Sequence, residues 1–128
     1  MIVTNSDILS IVGFANAEGS FVNNPGVKLT VKFAWNWRKN IKKLQDLAND
    51  INDMRQRIME EFSDDEHSYA NEDGRFVKDE YLQEYTGRIA ELYAQENDVE
   101  VAKVKIEDLG NFEISVPEMD AIGFMIEE

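Results

Sequence analysis

Apolar residues recur at spacings of three and four through Trp37, Ile41, Leu44, Ala48, Ile51, Ile58 and Phe62, and this stripe predicts one long helix over residues 37–62. Leu47 and Met54 widen it. A strict heptad would place Arg55 in the seam, but an ideal helix drifts relative to a seven-residue repeat and moves Met54 in instead. The pattern therefore predicts a globular antiparallel partner rather than an extended coiled coil. That partner is expected over Lys78–Asn97, where Leu82, Tyr85, Ile89, Leu92 and Tyr93 make a matching stripe. Gly87 lies off this stripe and weakens the helix by about 1 kcal/mol relative to Ala.

Shorter elements flank the pair. Ser6 is the expected cap of a first helix with Ile8, Leu9, Val12 and Ala15 on one side and Gly19 as its stop. Asn23-Asn24-Pro25-Gly26 reads as a turn, or as a helix start with Asn24 as cap and Pro25 first in the helix. Val27, Leu29, Val31 and Phe33 alternate like a strand, while from Phe33 the period is helical, so residues 27–33 fit either state. After Asp98, Val99, Val101, Val104 and Ile106 alternate around a slip at Ala102-Lys103 that suggests a bulge. Phe112–Val116 is a possible second strand, with Leu109-Gly110-Asn111 as the turn between them. Pro117 opens a final helix whose Met119, Ile122, Met125 and Ile126 pack inward.

Two readings compete between the long helices. As a calcium loop ending at Glu80, the spacing puts Asn71, Asp73, Gly74 and Glu80 at the third, fifth, sixth and twelfth positions, but Tyr69 at the first cannot ligate. As a β-ribbon, His67–Ala70 pairs with Arg75–Val77 around Asp73-Gly74. The ribbon is preferred, and calcium is not expected to be structural. The chain of 128 residues thus reads as a single domain, α+β and mainly α, built on a long antiparallel helical hairpin with a short N-terminal helix, a small β element and a C-terminal helix.

Charge changes the picture. Residues 1–45 carry six basic and two acidic residues, and residues 46–128 carry seven basic and twenty-four acidic, for a net charge of −13. No Asp or Glu occurs from Gly19 to Gln45, a stretch holding Lys28, Lys32, Arg38, Lys39, Lys42 and Lys43 among Phe33, Trp35 and Trp37. On a helix, Trp35, Arg38, Lys39 and Lys42 fall on adjoining rows while Trp37, Ile41 and Leu44 turn to the core. An indole beside a guanidinium and two ammonium groups suits a nucleotide, the ring stacking on the base and the cations pairing with phosphate. The competing reading packs Trp35 on the N-terminal helix and bridges the lysines to acids of a second subunit.

Catalytic chemistry finds no motif. The chain has no cysteine, hence no thiolate or disulfide, and one histidine, His67, expected as a solvated loop residue in an acidic run. Phosphate-loop, nucleophile-elbow and dinucleotide glycine patterns are absent, so a non-enzymatic protein without cofactor or metal is expected. The run Ile8–Ala15 lacks the preceding cations of a signal peptide, and no apolar run approaches the roughly 20 residues that span a bilayer. A soluble, intracellular protein without membrane contact is the expectation. The acidic balance disfavours direct DNA binding and favours a basic partner.

Pro25 followed by Val27-Lys28-Leu29, the Trp37-Arg38-Lys39-Asn40-Ile41 helix start, the acidic Asp73-Gly74 connection, the Val/Ile-rich Val99–Ile106 segment and the ending Phe124-Met125-Ile126-Glu127-Glu128 resemble a family of small tailed-bacteriophage proteins of unknown function. The resemblance covers residues 25–128 and implies a viral origin and a helical hairpin with a small β part. It implies no site residues. The expected function classes are a phage-encoded inhibitor of host defence, acting on a nucleotide signal or a host protein in the host cytoplasm; a virion or assembly component forming a ring; and a host-takeover adaptor without a ligand. A homo-oligomer is expected, because a wide stripe on one long helix exceeds what a single shorter helix covers.

Overall fold

An extended threonine decides where the first helix begins. Thr4 Oγ1 accepts a hydrogen bond from the Asp7 amide at 3.1 Å, and the Asp7 carboxylate accepts one from the Thr4 amide at 3.1 Å. This capping box replaces the expected Ser6 cap, because Thr4 ends strand β1 (Ile2–Thr4), which pairs antiparallel with a distant segment at Glu96–Asp98. Helix α1 (Asn5–Asn16) then stops at an extended Ala17, short of Gly19. The computed structural model describes residues 1–127.

Helix α2 spans Val31–Glu61. Thr30 caps it, accepting from the Phe33 amide at 3.1 Å and donating its hydroxyl to the Asp108 carbonyl. Residues 27–30 therefore form no strand, and Asn24-Pro25 starts no helix. Asn24 closes a turn instead, its side chain accepting from the Gly26 amide at 2.9 Å. The Leu109 carbonyl takes the Thr30 amide, and Gly110 lies so close that a Cβ there would sit 2.9 Å from the Lys28 carbonyl oxygen.

The stripe on α2 meets two partners in turn. Leu44, Ala48 and Ile51 pack on Ile8, Ile11 and Val12 of α1, which the sequence pattern left without a partner. Helix α3 (Asp79–Ala94) runs back antiparallel and covers the far half, where Phe62 meets Tyr85 edge-on at 5.3 Å. Met54 and Leu82, expected inside, are exposed. Beyond Ile51 a single helix faces α2, and no residue of α3 is fully buried.

Strands β2 (Ser68–Asn71) and β3 (Gly74–Val77) form the ribbon, the second of the two readings of this connection. Asn71 pairs with Gly74, so the turn is Glu72-Asp73 rather than Asp73-Gly74. Asn71 Oδ1 takes the Asp73 amide at 2.8 Å, and Gly74 supplies a left-handed φ of 128°.

Strand β4 (Glu96–Asp98) closes on β1, but the expected strands over 99–106 and 112–116 are largely absent. Only β5 (Val104–Lys105) pairs, in parallel with β6 (Ile126–Glu127). The rest of 99–103 is held by Met1, whose carbonyl takes the Val99 amide, and by Asn40, whose side chain bonds both backbone groups of Ala102. Phe112 packs on Phe21 with rings 5.3 Å apart instead of joining a ladder. Helix α4 (Val116–Ile122), capped by Ser115 and with Pro117 in its first turn, buries Ile122 against Phe33, Trp37, Val104 and Leu109 as the pattern predicted, but it ends there: Met125 is buried from the following Gly123–Met125 turn, and Met119 and Ile126, the latter in β6, are half-buried. The fold is α+β, mainly α, with two core clusters that share Ile41, Val101 and Phe124 at their margin.

Gly110 gives a test of this packing. Gly110→Ala forces a side chain into a φ of 124° and into the Lys28 carbonyl, and is expected to cost about 1–3 kcal/mol in urea denaturation. Unchanged stability would show that the 108–111 loop yields freely.

Candidate functional site

At about 100° per residue, Trp35, Arg38, Lys39 and Lys42 fall within one arc of α2, opposite the arc of Phe33, Trp37 and Leu44. Trp37 is buried, stacked on Phe33 at 6.1 Å and meeting Phe14 of α1 edge-on at 6.0 Å. Trp35 is 59% exposed. The indole that packs on the N-terminal helix is therefore Trp37, and Trp35 is free on the outer face. Lys39 Nζ lies 6.0 Å from the Trp35 ring centroid, at the outer limit of a cation–π contact.

The cations on this arc lack acidic partners. Among the described residues, no carboxylate lies within 4 Å of Arg38, Lys39, Lys42 or Lys43, whereas Lys32 pairs with Asp108 at 3.0 Å and Arg75 with Asp65 at 3.3 Å. Lys39, Lys42 and Lys43 line a groove of about 440 Å³ together with Glu100, Val101 and Ala102. Lys43 Nζ donates to the Glu100 carbonyl at 3.0 Å. The structure thus groups Lys39 and Lys42 in the groove, sets Trp35 beside Lys39, and leaves Arg38 on the flank outside the lining. Lys43 belongs to the groove, although the sequence reading left it out of the site. Its membership in the acid-free stretch was the available signal. The 100–102 wall comes from a segment far away in sequence and had none.

A groove of about 410 Å³ between α1 and α4 offers a contrast, with Val3, Ile11, Pro117 and Phe124 below and Asp7 and Asp120 at its rim. Asp7 is engaged in capping α1, and no cation lines this groove.

His67 is not the solvated loop residue expected. Its side chain is 26% exposed, set between Phe62 at 5.5 Å and Tyr81 at 4.6 Å, and its Nδ1 lies 2.6 Å from Asp64 Oδ1. The ring is drawn in because the chain after Phe62 must fold back to start β2, which places it over the hairpin's aromatic end. Asp64, Glu66 and His67 each offer a ligand atom within 4.8 Å of the others, but the His67–Asp64 hydrogen bond already occupies two of those groups. That hydrogen bond raises the His67 pKa and lowers that of Asp64.

No family model, curated protein or solved structure matches the chain. Among the described residues, no helix is long and apolar enough to cross a membrane.

The pH dependence follows from the pair. A raised histidine stabilises fully below its unfolded value and loses that contribution as pH rises through its folded value; a lowered carboxylate loses its contribution as pH falls through its folded value. Thermal melts at about pH 5.5 and about pH 8 are expected to show a larger drop for wild type than for Asp64→Asn. Identical drops would remove the pair from the stability of the hairpin tip.

Proposed function

We propose that the protein is a non-enzymatic, phage-encoded binding protein that antagonises a host defence system in the cytoplasm of the infected bacterium. In this reading the outer face of α2 sequesters a small nucleotide signal. One observation carries it: in a chain of net charge −13, Arg38, Lys39, Lys42 and Lys43 are clustered, exposed and in no ion pair within 4 Å among the described residues, beside an exposed tryptophan, with Glu100 the one acid lining their groove. Clustering like charges on two helical turns costs stability, and counter-anions relieve it. Trp35 offers a base an aromatic face, and the groove lysines offer phosphate their charge. The resemblance to small tailed-phage proteins supports the viral setting. Docking of the acidic surface on a basic host protein is the other form of the same role.

A second reading, a virion or assembly component that forms a ring, is favoured by a different observation. The hairpin exposes Met54, Met59 and Leu82 and carries opposite charge at its two ends.

Calorimetry against mono-, di- and cyclic nucleotides tests the first reading. One class is expected to bind, and Arg38→Ala and Lys42→Ala are each expected to weaken it about ten- to a hundredfold, from roughly 1.5–3 kcal/mol per charge-assisted contact. Their melting temperatures should stay unchanged, since exposed cations add little stability. Trp35→Ala is expected to lose affinity while moving stability by no more than about 0.5 kcal/mol, because the ring lies outside the core. Failure of every nucleotide to bind wild type would end this reading.

A further inference from the structure

We propose that the cationic face of α2 also receives the acidic hairpin tip of a second copy of this chain. The proposal rests on reading that face as an anion-recognition surface, and it names a competing occupant for it.

The charges of the two ends cannot meet within one molecule. From Arg38 to Glu61 the α2 axis runs about 35 Å at 1.5 Å per residue, several times the Debye length of about 8 Å at physiological salt. Residues 60–80 hold nine acids and two bases. Three of those acids are engaged: Glu61 with Arg88, Asp65 with Arg75, and Asp64 with His67. Glu60, Glu66, Glu72 and Asp73 have no cation within 4 Å among the described residues. The outer face of α2 thus presents cations without ion-pair partners, and the hairpin tip presents acids without them.

That distribution selects the geometry. A contact of tip on tip would set acid against acid, and one of face on face would set lysine against lysine; both place like charges in contact. Packing face on tip joins opposite signs, either reciprocally in an antiparallel two-fold pair or singly, in which case its repetition closes into a ring or extends as a filament. Both surfaces also carry exposed aromatic rings: Trp35 on the cationic face, and Tyr69 and Phe76, 5.8 Å apart across the ribbon, at the acidic tip. Aromatic and arginine anchors are the side chains that dominate binding at protein interfaces. A nucleotide on the α2 face and the tip of a neighbouring copy exclude each other, so ligand binding breaks the contact.

Sedimentation velocity of the full chain tests this at about 50 mM and about 500 mM salt. Association at low salt is expected to weaken at least tenfold, on the order of what screening removes from such contacts, at the higher salt. Arg38→Glu/Lys42→Glu and Glu72→Lys/Asp73→Lys are each expected to be monomeric alone, with wild-type melting temperatures, and to associate again when mixed, because one retains an intact tip and the other an intact face. A monomeric wild type at tens of micromolar, on the order of a moderate dissociation constant, or assembly indifferent to both salt and charge reversal would overturn the proposal. Nucleotide calorimetry on the Glu72→Lys/Asp73→Lys variant keeps the two ideas apart, since its α2 face is intact: binding there without wild-type assembly sinks only this inference, and wild-type assembly without nucleotide binding sinks only the sequestration reading.

Discussion

A single buried amide holds the fold and the groove in place. Asn40 is 2% exposed, its Nδ2 donating to the Ala102 carbonyl at 2.9 Å and its Oδ1 accepting from the Ala102 amide at 2.8 Å. The side chain does what a neighbouring strand would do, pairing both backbone groups of one residue. Leaving either group unpaired in the interior would cost roughly 1–3 kcal/mol, so an apolar residue of similar size is no substitute. The clamp lays residues 99–104 across α2, with Val101 at the margin that the two core clusters share. It also fixes the backbone of Glu100–Ala102 beside Lys39, Lys42 and Lys43. Without it the cations would line an open helix face with no second wall.

The molecule divides along α2. Its first half is enclosed by α1, α4 and the clamped segment, and contains nearly all the fully buried side chains, including Phe33, Leu44, Ile122 and Met125. Its second half meets α3 alone and ends in the two-stranded ribbon, with most of its surface wet. Such single-layer regions open locally at lower free energy than enclosed ones. The charge follows the same division in part. On α2 itself the cations from Lys32 to Lys43 sit in the braced half, beside the acids of residues 96–127, and the projecting tip is acidic.

What was legible in the sequence was what local periodicity encodes. The α2 stripe and the inward Ile122 of α4 follow from side-chain spacing, and spacing sets Trp35 about 200° from Trp37, but it left open whether Trp35 packs on the N-terminal helix. What was not legible depended on distant partners. Thr4 rather than Ser6 caps α1 because β4, more than ninety residues later, fixes Thr4 as extended. Alternation marked Val99 and Val104 as inward but also Ile106, which is exposed, and did not report what satisfies the backbone, where an asparagine on a helix took the place of a strand. The slip at Ala102-Lys103 marks that clamp rather than a bulge. Met54 and Leu82 fit the stripe yet stay exposed, since a stripe states where a partner could pack and not whether one is present. For the site, the cation arc was readable and the 100–102 wall was not.

Amide hydrogen exchange at Ala102 tests the role of Asn40 most directly. In the wild type, the Ala102 amide is expected to exchange as slowly as those of Leu44 and Ala48 in the enclosed half of α2. In Asn40→Ala, it should exchange about ten- to a hundredfold faster than those two amides measured in the same variant, reflecting the loss of a buried partner worth roughly 1–3 kcal/mol. An Ala102 amide that remains as protected as Leu44 in the variant would contradict the account, because some other contact would then be holding the segment against α2.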